Sequence, residues 1–320
     1  GKRQKILKKL YSMKLSVVST LYQSKVFLDE FLAEIEKAIK VIQIEDYELI
    51  FVNDGSPDHS LHHLITLKKE KYPKIKIIDL SRNFGHHYSI QAGLIEAKGD
   101  LVFLIDNDLE TNPNVLVNFY TTIKEDRTLD VVYGFQEVRK GNFIERTLGG
   151  LFWTLINKLS DTKIPHNILT ERLMTKEYVK ALLRLNDANL FLGGMMFWVG
   201  FNQKGVAIEK GKRKGDSTYS IKKRTDLMLQ AVTSFSGKPL VYLFYFGLII
   251  SLLSVLIIIH LIVQKFLYVD EVQLGWTSLV AINILVLGII STFLGFIGIY
   301  LFKIFKQVQN RPNVIIRKIY

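Results

Sequence analysis

The sequence predicts an α/β domain with a mainly parallel sheet, followed by a C-terminal two-helix transmembrane hairpin. In the first two thirds of the chain, continuous apolar segments of strand length alternate with segments whose apolar residues recur at helical spacing. This alternation is typical of a parallel sheet covered by helices on both faces. After residue 240, two uncharged apolar runs follow, and each is long enough for a membrane span, which needs about 20 residues.

The composition narrows the class of protein further. Hydrophobic residues make up 48% of the 320 residues, and the excess lies in residues 240–302. The chain has no cysteine, which excludes disulfides and thiolate metal sites. Its formal net charge of +12 would fit nucleic acid or an anionic membrane surface, and the two apolar runs decide for the membrane. We therefore expect the lipid bilayer as a partner and no nucleic acid.

The elements of the α/β domain are predicted in a regular order. Apolar strands are expected at residues 14–20, 47–52, 75–80 and 101–105. Helices are expected between them, around residues 27–35, 59–70 and 88–97. The basic residues 1–13 precede the first strand. A helix that lies on anionic lipid and a frayed tail explain this segment equally well.

Charged residues stand directly after three of the predicted strands. Asp54 ends the second strand, Arg82 follows the third, and Asp106 follows the fourth. Ligands of open α/β sheets bind beyond the carboxyl ends of the strands. The sequence therefore predicts one active site that these side chains share.

Three acids follow the fourth strand at intervals of two residues: Asp106, Asp108 and Glu110. Buried charge must be paired or neutralised, so acids at the end of a buried strand have little structural use. Hard oxygen ligands of this type hold Mg²⁺ or Mn²⁺, and such a metal can hold a diphosphate. The structural alternative is an acidic turn that caps the following helix.

Asp54 and Arg82 have chemistry that suits a nucleotide. The carboxylate of Asp54 can accept from the N–H of a nucleobase, and the Gly-Ser-Pro turn after it lets the backbone approach a ligand closely. The guanidinium of Arg82 suits a phosphate or a ribose. A surface ion pair is the equal alternative for Arg82.

The membrane region is predicted to begin near residue 237. Lysine and arginine residues flank both outer ends of the apolar runs, so the positive-inside rule places the α/β domain and both termini in the cytosol. An apolar stripe over residues 143–160 is expected either in the domain core or as a helix resting on the membrane. The chain thus divides into a basic segment at 1–13, the α/β domain at 14–236, and the hairpin at 237–320 with spans at about 240–263 and 276–302.

These motifs together resemble the membrane-bound family 2 glycosyltransferases that act on polyprenyl phosphates, which include dolichyl-phosphate mannosyltransferases and bactoprenol glucosyltransferases. The resemblance runs from about residue 14 to residue 315. It rests on an ordered set of segments: Val52–Asp58 (VNDGSPD), Leu80–Gly85 (LSRNFG), Asp106–Glu110 (DNDLE), Ser234–Ser236 with Pro239–Leu240, and Val308–Pro312.

The resemblance implies a GT-A fold and an inverting, metal-dependent transfer of one sugar from a UDP- or GDP-linked donor to a polyprenyl phosphate, at the cytosolic face of a bacterial inner membrane. Asp54 would bind the base, Arg82 the nucleotide, and Asp106 the ribose or the metal. Asp108 and Glu110 would bind the metal, and Asp108 would be catalytic. The candidate cations for the acceptor phosphate are Arg172, which would also be catalytic, and Lys212, Arg213 and Lys214.

The chain departs from this family at positions that bear on the substrates. Thr20 stands where relatives usually have proline, Thr170-Glu171-Arg172 replaces Asp-Phe-Arg, and Gly193 replaces an arginine. Glu171 would point to the opposite face of an extended segment, so it is not expected to substitute for the missing acid. Transfer to an already glycosylated lipid and a non-catalytic membrane scaffold are the alternative functions. The sugar, and whether the chain forms a homo-oligomer, stay open.

Overall fold

A computed structural model describes residues 13–137, 164–209, 211, 238–267 and 276–320 of the chain. Four of the predicted features lie outside the described residues. These are most of the basic N-terminal segment, the apolar stripe at 143–160, the candidate cations Lys212, Arg213 and Lys214, and the segment Ser234–Ser236.

One mixed sheet of eight strands organises the fold, in the spatial order β7-β5-β6-β4-β1-β2-β3-β8. Its centre, β4-β1-β2-β3, is parallel, as the alternation of strands and helices predicts. β6 runs antiparallel between β4 and β5. The strands are β1 Leu15–Leu21, β2 Tyr47–Asn53, β3 Ile75–Leu80, β4 Leu101–Leu104, β5 Val131–Phe135, β6 Ile168–Thr175, β7 Gln203–Ala207 and β8 Ile316–Ile319.

Helices cover both faces of the sheet because successive strand residues point to opposite sides. Val17 of β1 packs in the core under α1, α2 and α4, whereas its neighbour Val18 packs in the core under α3, α5 and α6. The α-helices are α1 Leu28–Ile42, α2 Ser60–Glu70, α3 His86–Glu96, α4 Val115–Glu125, α5 Lys176–Leu183, α6 Leu192–Trp198, α7 Lys238–Leu267 and α8 Trp276–Gln309.

The C-terminal tail returns to the sheet. It is predicted as a basic cytosolic tail, but residues Ile316–Ile319 form β8, which pairs antiparallel with β3. Arg317 donates to the carbonyl of Ser81 at 2.6 Å and lies 3.8 Å from the buried carboxylate of Asp79. The segment after α8 is therefore part of the α/β domain and covers the outer edge of β3.

The membrane region consists of two long helices, α7 with 30 residues and α8 with 34. Within the part of the chain that the structure describes, one segment, Val286–Gln309 of α8, is long and apolar enough to cross a membrane, and none of its apolar window is buried inside the protein. The other predicted span, at 240–263, coincides with α7, but α8 alone holds such a segment among the described residues, so the two-span hairpin is not confirmed.

Candidate active site

Three neighbouring strands, β1, β2 and β4, have their carboxyl ends at one edge of the sheet and place Thr20, Asp54 and Asp106 there. Thr20 pairs with Val52 across β1 and β2, and Val18 pairs with Leu104 across β1 and β4. Asp54 and Asp106 each follow their strand by one or two residues. The edge that the sequence predicts as the active site is therefore formed by neighbouring strands.

Asp54 holds the loop after β3 in place. Its Oδ1 accepts from the backbone N–H of Phe84 at 2.7 Å, and its Oδ2 accepts from the N–H of Gly85 at 3.0 Å. The side chain is buried, with 4% of the residue exposed. The loop that carries Arg82 is thus fixed by Asp54, and binding of a nucleobase by the same carboxylate stays a prediction.

Gly55 allows the loops after β2 and β3 to touch. Its φ is +60°, and a Cβ atom there would lie 2.6 Å from the nitrogen of Asn83 and 2.7 Å from the carbonyl carbon of Arg82. The glycine is required both by the backbone conformation and by this approach of two backbones.

We expect Gly55→Ala to lower the free energy of unfolding by about 3 kcal/mol or more, because a left-handed φ and a backbone clash act together. Gly200→Ala is the matched control, since Gly200 also has a positive φ, +77°, but a Cβ there would meet no atom within 4 Å. We expect about 1 kcal/mol for the control, from the φ alone. Urea unfolding of both variants measures the difference, and equal losses would contradict a close approach at Gly55.

Arg82 lies at the exposed end of the same edge. Its Nη1 donates to the carbonyl of Asn83 at 2.9 Å, and its guanidinium lies 4.1 Å from the ring centre of Phe84. These contacts orient the guanidinium and leave it open to solvent. Such a group suits a phosphate, since arginine presents several donors in a fixed plane.

The acidic run after β4 forms a tight turn. The Oδ1 of Asp108 accepts from the N–H of Glu110 at 3.0 Å, and Leu109 between them has a φ of +57°. Among the residues that the structure describes, no three histidine or acidic side chains form a ready metal cage. The partly exposed carboxylates at 106, 108 and 110 nevertheless fit a hard cation that takes its remaining oxygens from a diphosphate and water.

His86, the first residue of α3, links this edge to the end of β1. Its Nδ1 lies 3.2 Å from the hydroxyl of Thr20, and its Nε2 lies 3.5 Å from Oδ1 of Asp106. One neutral tautomer satisfies both contacts, with Nδ1 accepting from Thr20 and Nε2–H facing Asp106. A proline at position 20 has no hydroxyl, so this contact belongs to a departure from the family pattern.

Two opposing effects act on the protonation of His86. Loss of solvation among its neighbours lowers the pKa of His86 below its usual value, although 44% of the side chain is exposed. The negative charges of Asp54, Asp108 and Glu171 act in the opposite direction. The sequence alone allows two interpretations of His86, contact with the sugar or diphosphate and a solvated helix start, because it does not show that α3 begins at residue 86.

We expect Thr20→Val to weaken binding of the nucleotide–metal pair about three- to fivefold, because His86 loses the hydrogen bond that fixes its tautomer. Valine keeps the shape of the side chain. The control is Thr121→Val. It removes a comparable hydroxyl, which lies on the exposed face of α4 and donates to the carbonyl of Val117. Titration calorimetry with UDP or GDP and Mn²⁺ measures the effect. An unchanged affinity would mean that Thr20 does not act through His86.

A cavity of about 120 Å³ is lined by His86 together with residues of β4, β6 and α6. Thr170 and Gly193, two of the departures from the family pattern, both line it. A Cβ atom at Gly193 would lie 3.7 Å from Cδ1 of Ile168, an ordinary van der Waals distance, so the position accepts a Cβ atom without a clash. The other lining residues are His87, Ile90, Leu104, Ile168, Leu169, Arg172, Leu192 and Met196. The missing acid and the missing arginine therefore concern one and the same pocket.

Arg172 is the buried cation of this cavity, with 2% of the residue exposed. It donates from Nε to the carbonyl of Thr170 at 3.2 Å and from Nη2 to that of Leu169 at 3.0 Å. Its Nη1 has no hydrogen-bond partner among the described residues. Burial lowers its pKa, and Tyr178 and Glu171 counteract this. A buried guanidinium with a free donor favours an anionic ligand.

Glu171 lies between Thr170 and Arg172 on β6 but, unlike them, does not line the cavity. It is fully buried, and its odd position in the strand matches Leu173, which packs in the core under α1, α2 and α4. Alternation along β6 therefore separates Glu171 from the pocket, as the pattern predicts.

The fold and the candidate site together define a class: an α/β domain that gathers acids, His86 and a buried arginine at the carboxyl edge of its sheet. The family profile described as glycosyl transferase family 2 matches residues 16–183. The chain belongs to this family and is a glycosyltransferase with a GT-A-like fold.

Relatives match over nearly the whole chain. A protein of Mycobacterium tuberculosis named as a glycosyltransferase is 38% identical over 96% of this chain and 89% of its own length. The glycosyltransferase YkcC of Bacillus subtilis is 34% identical over 95% and 94%, respectively. The SfII prophage-derived bactoprenol glucosyl transferase of Shigella flexneri is 30% identical over 96% and 98%. The similarity therefore includes the membrane region as well as the α/β domain.

Proposed function

We propose that the protein transfers a single sugar from a UDP- or GDP-linked donor to a polyprenyl phosphate at the cytosolic face of the bacterial inner membrane, with a divalent metal and with inversion at the anomeric carbon. The observation that carries this proposal is that His86 joins an acidic strand edge to a cavity with a buried arginine. The similarity to a bactoprenol glucosyl transferase supports the lipid acceptor.

The donor half of the site is the acidic edge. Asp106, Asp108 and Glu110 would hold Mg²⁺ or Mn²⁺, which would neutralise charge on the leaving diphosphate. Arg82 is open to solvent beside this edge and would contact the nucleotide phosphates. His86 holds the carboxylate of Asp106 from the other side, at 3.5 Å. Asp106 and Asp108 therefore each have a contact within the protein, with His86 and with the N–H of Glu110, before the donor binds.

The acceptor half is the cavity with Arg172. A phosphate monoester has a second pKa of about 6 and is already ionised at neutral pH, so it needs no strong general base. It needs a cation and a position in line with the leaving group. The free donor of Arg172 Nη1 fits the first need, and Lys212, Arg213 and Lys214 are further candidates. Attack from the side opposite the diphosphate inverts the anomeric carbon.

For the membrane region we propose two spans, α7 and α8, with both termini in the cytosol. The position of β8 supports this topology. The chain leaves the α/β domain before α7 and returns to the same sheet at Ile316, directly after α8. A chain that leaves and re-enters one domain must cross the membrane an even number of times, and two helices of 30 and 34 residues provide two crossings.

A transfer assay tests the proposed function. Membranes that contain the protein are incubated with undecaprenyl phosphate and a panel of labelled UDP- and GDP-sugars. We expect one donor to label the lipid fraction, a chelator to stop the labelling, and Mn²⁺ or Mg²⁺ to restore it. Membranes without the protein are the control. Absence of lipid labelling with every donor of the panel would overturn the proposal.

A further inference from the structure

The loop before α6 connects the membrane helix to the wall of the cavity. This loop, residues 186–190, is named the rim loop here because it is followed, after Phe191, by Leu192 and Gly193 of α6, which line the cavity. It has no regular secondary structure. Its backbone is held instead by side chains from two sides, and this arrangement determines where the cavity wall lies.

The first set of contacts comes from α3. The hydroxyl of Tyr88 donates to the carbonyl of Ala188 at 2.9 Å. The Nδ1 of His87 lies 3.3 Å from the carbonyl of Leu190, so His87 is the Nδ1–H tautomer if it donates there. His87 also lines the cavity. The rim loop and the cavity therefore share a direct contact.

The second set comes from the end of the membrane helix. Gln307, in the last turn of α8, accepts from the N–H of Ala188 and donates to the carbonyl of Asn186, both at 2.8 Å. Asn313, in the segment between α8 and β8, donates to the carbonyl of Asp187 at 3.2 Å and to Oε1 of Gln91 at 2.9 Å. The carboxamide of Gln307 thus makes the same pair of hydrogen bonds, one accepted and one donated, that a neighbouring strand would make with the backbone of the rim loop.

These contacts are of the kind that positions a loop. An exposed backbone with no regular partners exchanges hydrogen bonds with water and fluctuates. Here three consecutive residues of the loop are bound by a helix that leaves the membrane and by the tail that β8 anchors to the sheet. Loss of these bonds would free the wall at Leu192 and Gly193 without touching the acids at the donor edge.

We propose that Gln307 and Asn313 are positioning residues that couple the cytosolic end of α8 to the acceptor side of the active site. This proposal rests on the proposed function, because it takes the cavity beside Arg172 as the place of the lipid phosphate. The membrane anchor then does more than keep the enzyme at the bilayer. It holds the cavity wall at the distance from Arg172 at which the phosphate is bound.

The test uses the full-length protein in lipid nanodiscs. We expect Gln307→Ala and the double variant with Asn313→Ala to raise KM for undecaprenyl phosphate about five- to tenfold, since two hydrogen bonds are lost in the single variant and four in the double variant. We expect kcat to change less than about twofold, and the affinity for the donor nucleotide to stay unchanged. Gln307→Glu keeps the acceptor for Ala188 but loses the donor for Asn186, so we expect an intermediate KM.

The control is Gln309→Ala, which shortens an exposed side chain at the same helix end. A second readout does not depend on turnover: amide hydrogen exchange at residues 187–191 should accelerate in Gln307→Ala, while exchange in β1 and β4 stays at the wild-type rate.

Three outcomes decide the matter. Acceptor KM and exchange at wild-type values in Gln307→Ala would overturn the proposal. A parallel loss of donor affinity, kcat and melting temperature would also overturn it, because it would mean a general structural role. If the wild-type protein transfers no sugar, the proposed function fails, and the exchange of the rim loop still decides whether α8 holds this loop.

Discussion

Asp108→Asn is expected to lower sugar transfer about 100-fold or more while the protein stays folded. Asparagine keeps the side-chain oxygen that accepts from the N–H of Glu110 at 3.0 Å, so the turn after β4 survives. It removes the negative charge that a divalent metal needs, and about 2.7 kcal/mol of lost transition-state stabilisation corresponds to 100-fold. Steady-state transfer assays, with the melting temperature as a check on folding, measure the effect.

The matched control is Asp126→Asn. Asp126 also accepts from a backbone N–H two residues later, that of Thr128, at 3.0 Å. It lies before β5, at the opposite edge of the sheet from the candidate site. We expect wild-type transfer for this control. Full turnover by Asp108→Asn would refute the metal-binding role of the acidic run.

Arg172→Met is expected to lower kcat/KM for the lipid acceptor about 100-fold or more. The methionine fills a similar volume but offers no donor to an anion, whereas Nη1 of Arg172 has no hydrogen-bond partner among the described residues. Methionine leaves the carbonyls of Thr170 and Leu169 without the donors of Arg172, so the melting temperature is measured beside the activity to separate a loss of folding from a loss of acceptor binding. Binding of UDP or GDP should be retained, because Arg172 lies on the cavity side of His86.

Arg172→Lys and Arg127→Met make this prediction specific. Lysine keeps a charge but lacks the planar fork of donors, and we expect it to restore only part of the activity. Arg127 is exposed in the turn between α4 and β5, so its replacement should have no effect. An Arg172→Met protein with an unchanged KM for the acceptor would remove Arg172 from the acceptor site.

The parallel centre of the sheet could be predicted from the sequence because its strands are buried on both faces. Such strands are continuous apolar runs, and the bounds of β1 to β4 agree with the prediction to within one or two residues. Residues at the ends of these strands could be predicted for the same reason. Once the strands are known, Asp54 and Asp106 must lie at one edge.

β6 and β8 could not be predicted in this way. β6 carries Thr170, Glu171 and Arg172, and polar side chains that face a cavity interrupt the apolar pattern of a strand. β8 is an exposed edge strand with basic residues, and the membrane helix before it favours a simple cytosolic tail. In both cases the strand forms because it pairs with strands that are distant in sequence, and a local sequence pattern contains no information about such partners.

The candidate site was predictable where a residue type and a strand end coincide. The acids and Arg82 meet this condition, whereas His86 and Gln307 do not. A hydroxyl at Thr20, at the end of β1, was the available signal for His86, since it provides the partner for the imidazole. Gln307 has no such signal, because its partners are backbone atoms of a loop more than 100 residues away.

Mass spectrometry of the glycolipid formed by the purified protein is the most direct measurement of the transfer to polyprenyl phosphate. The protein receives the active nucleotide sugar and, in separate reactions, undecaprenyl phosphate or its monoglycosylated form. We predict a product that is one sugar heavier than undecaprenyl phosphate, joined through the phosphate, and no extension of the glycosylated lipid. A product formed only from the glycosylated lipid would contradict the proposed acceptor.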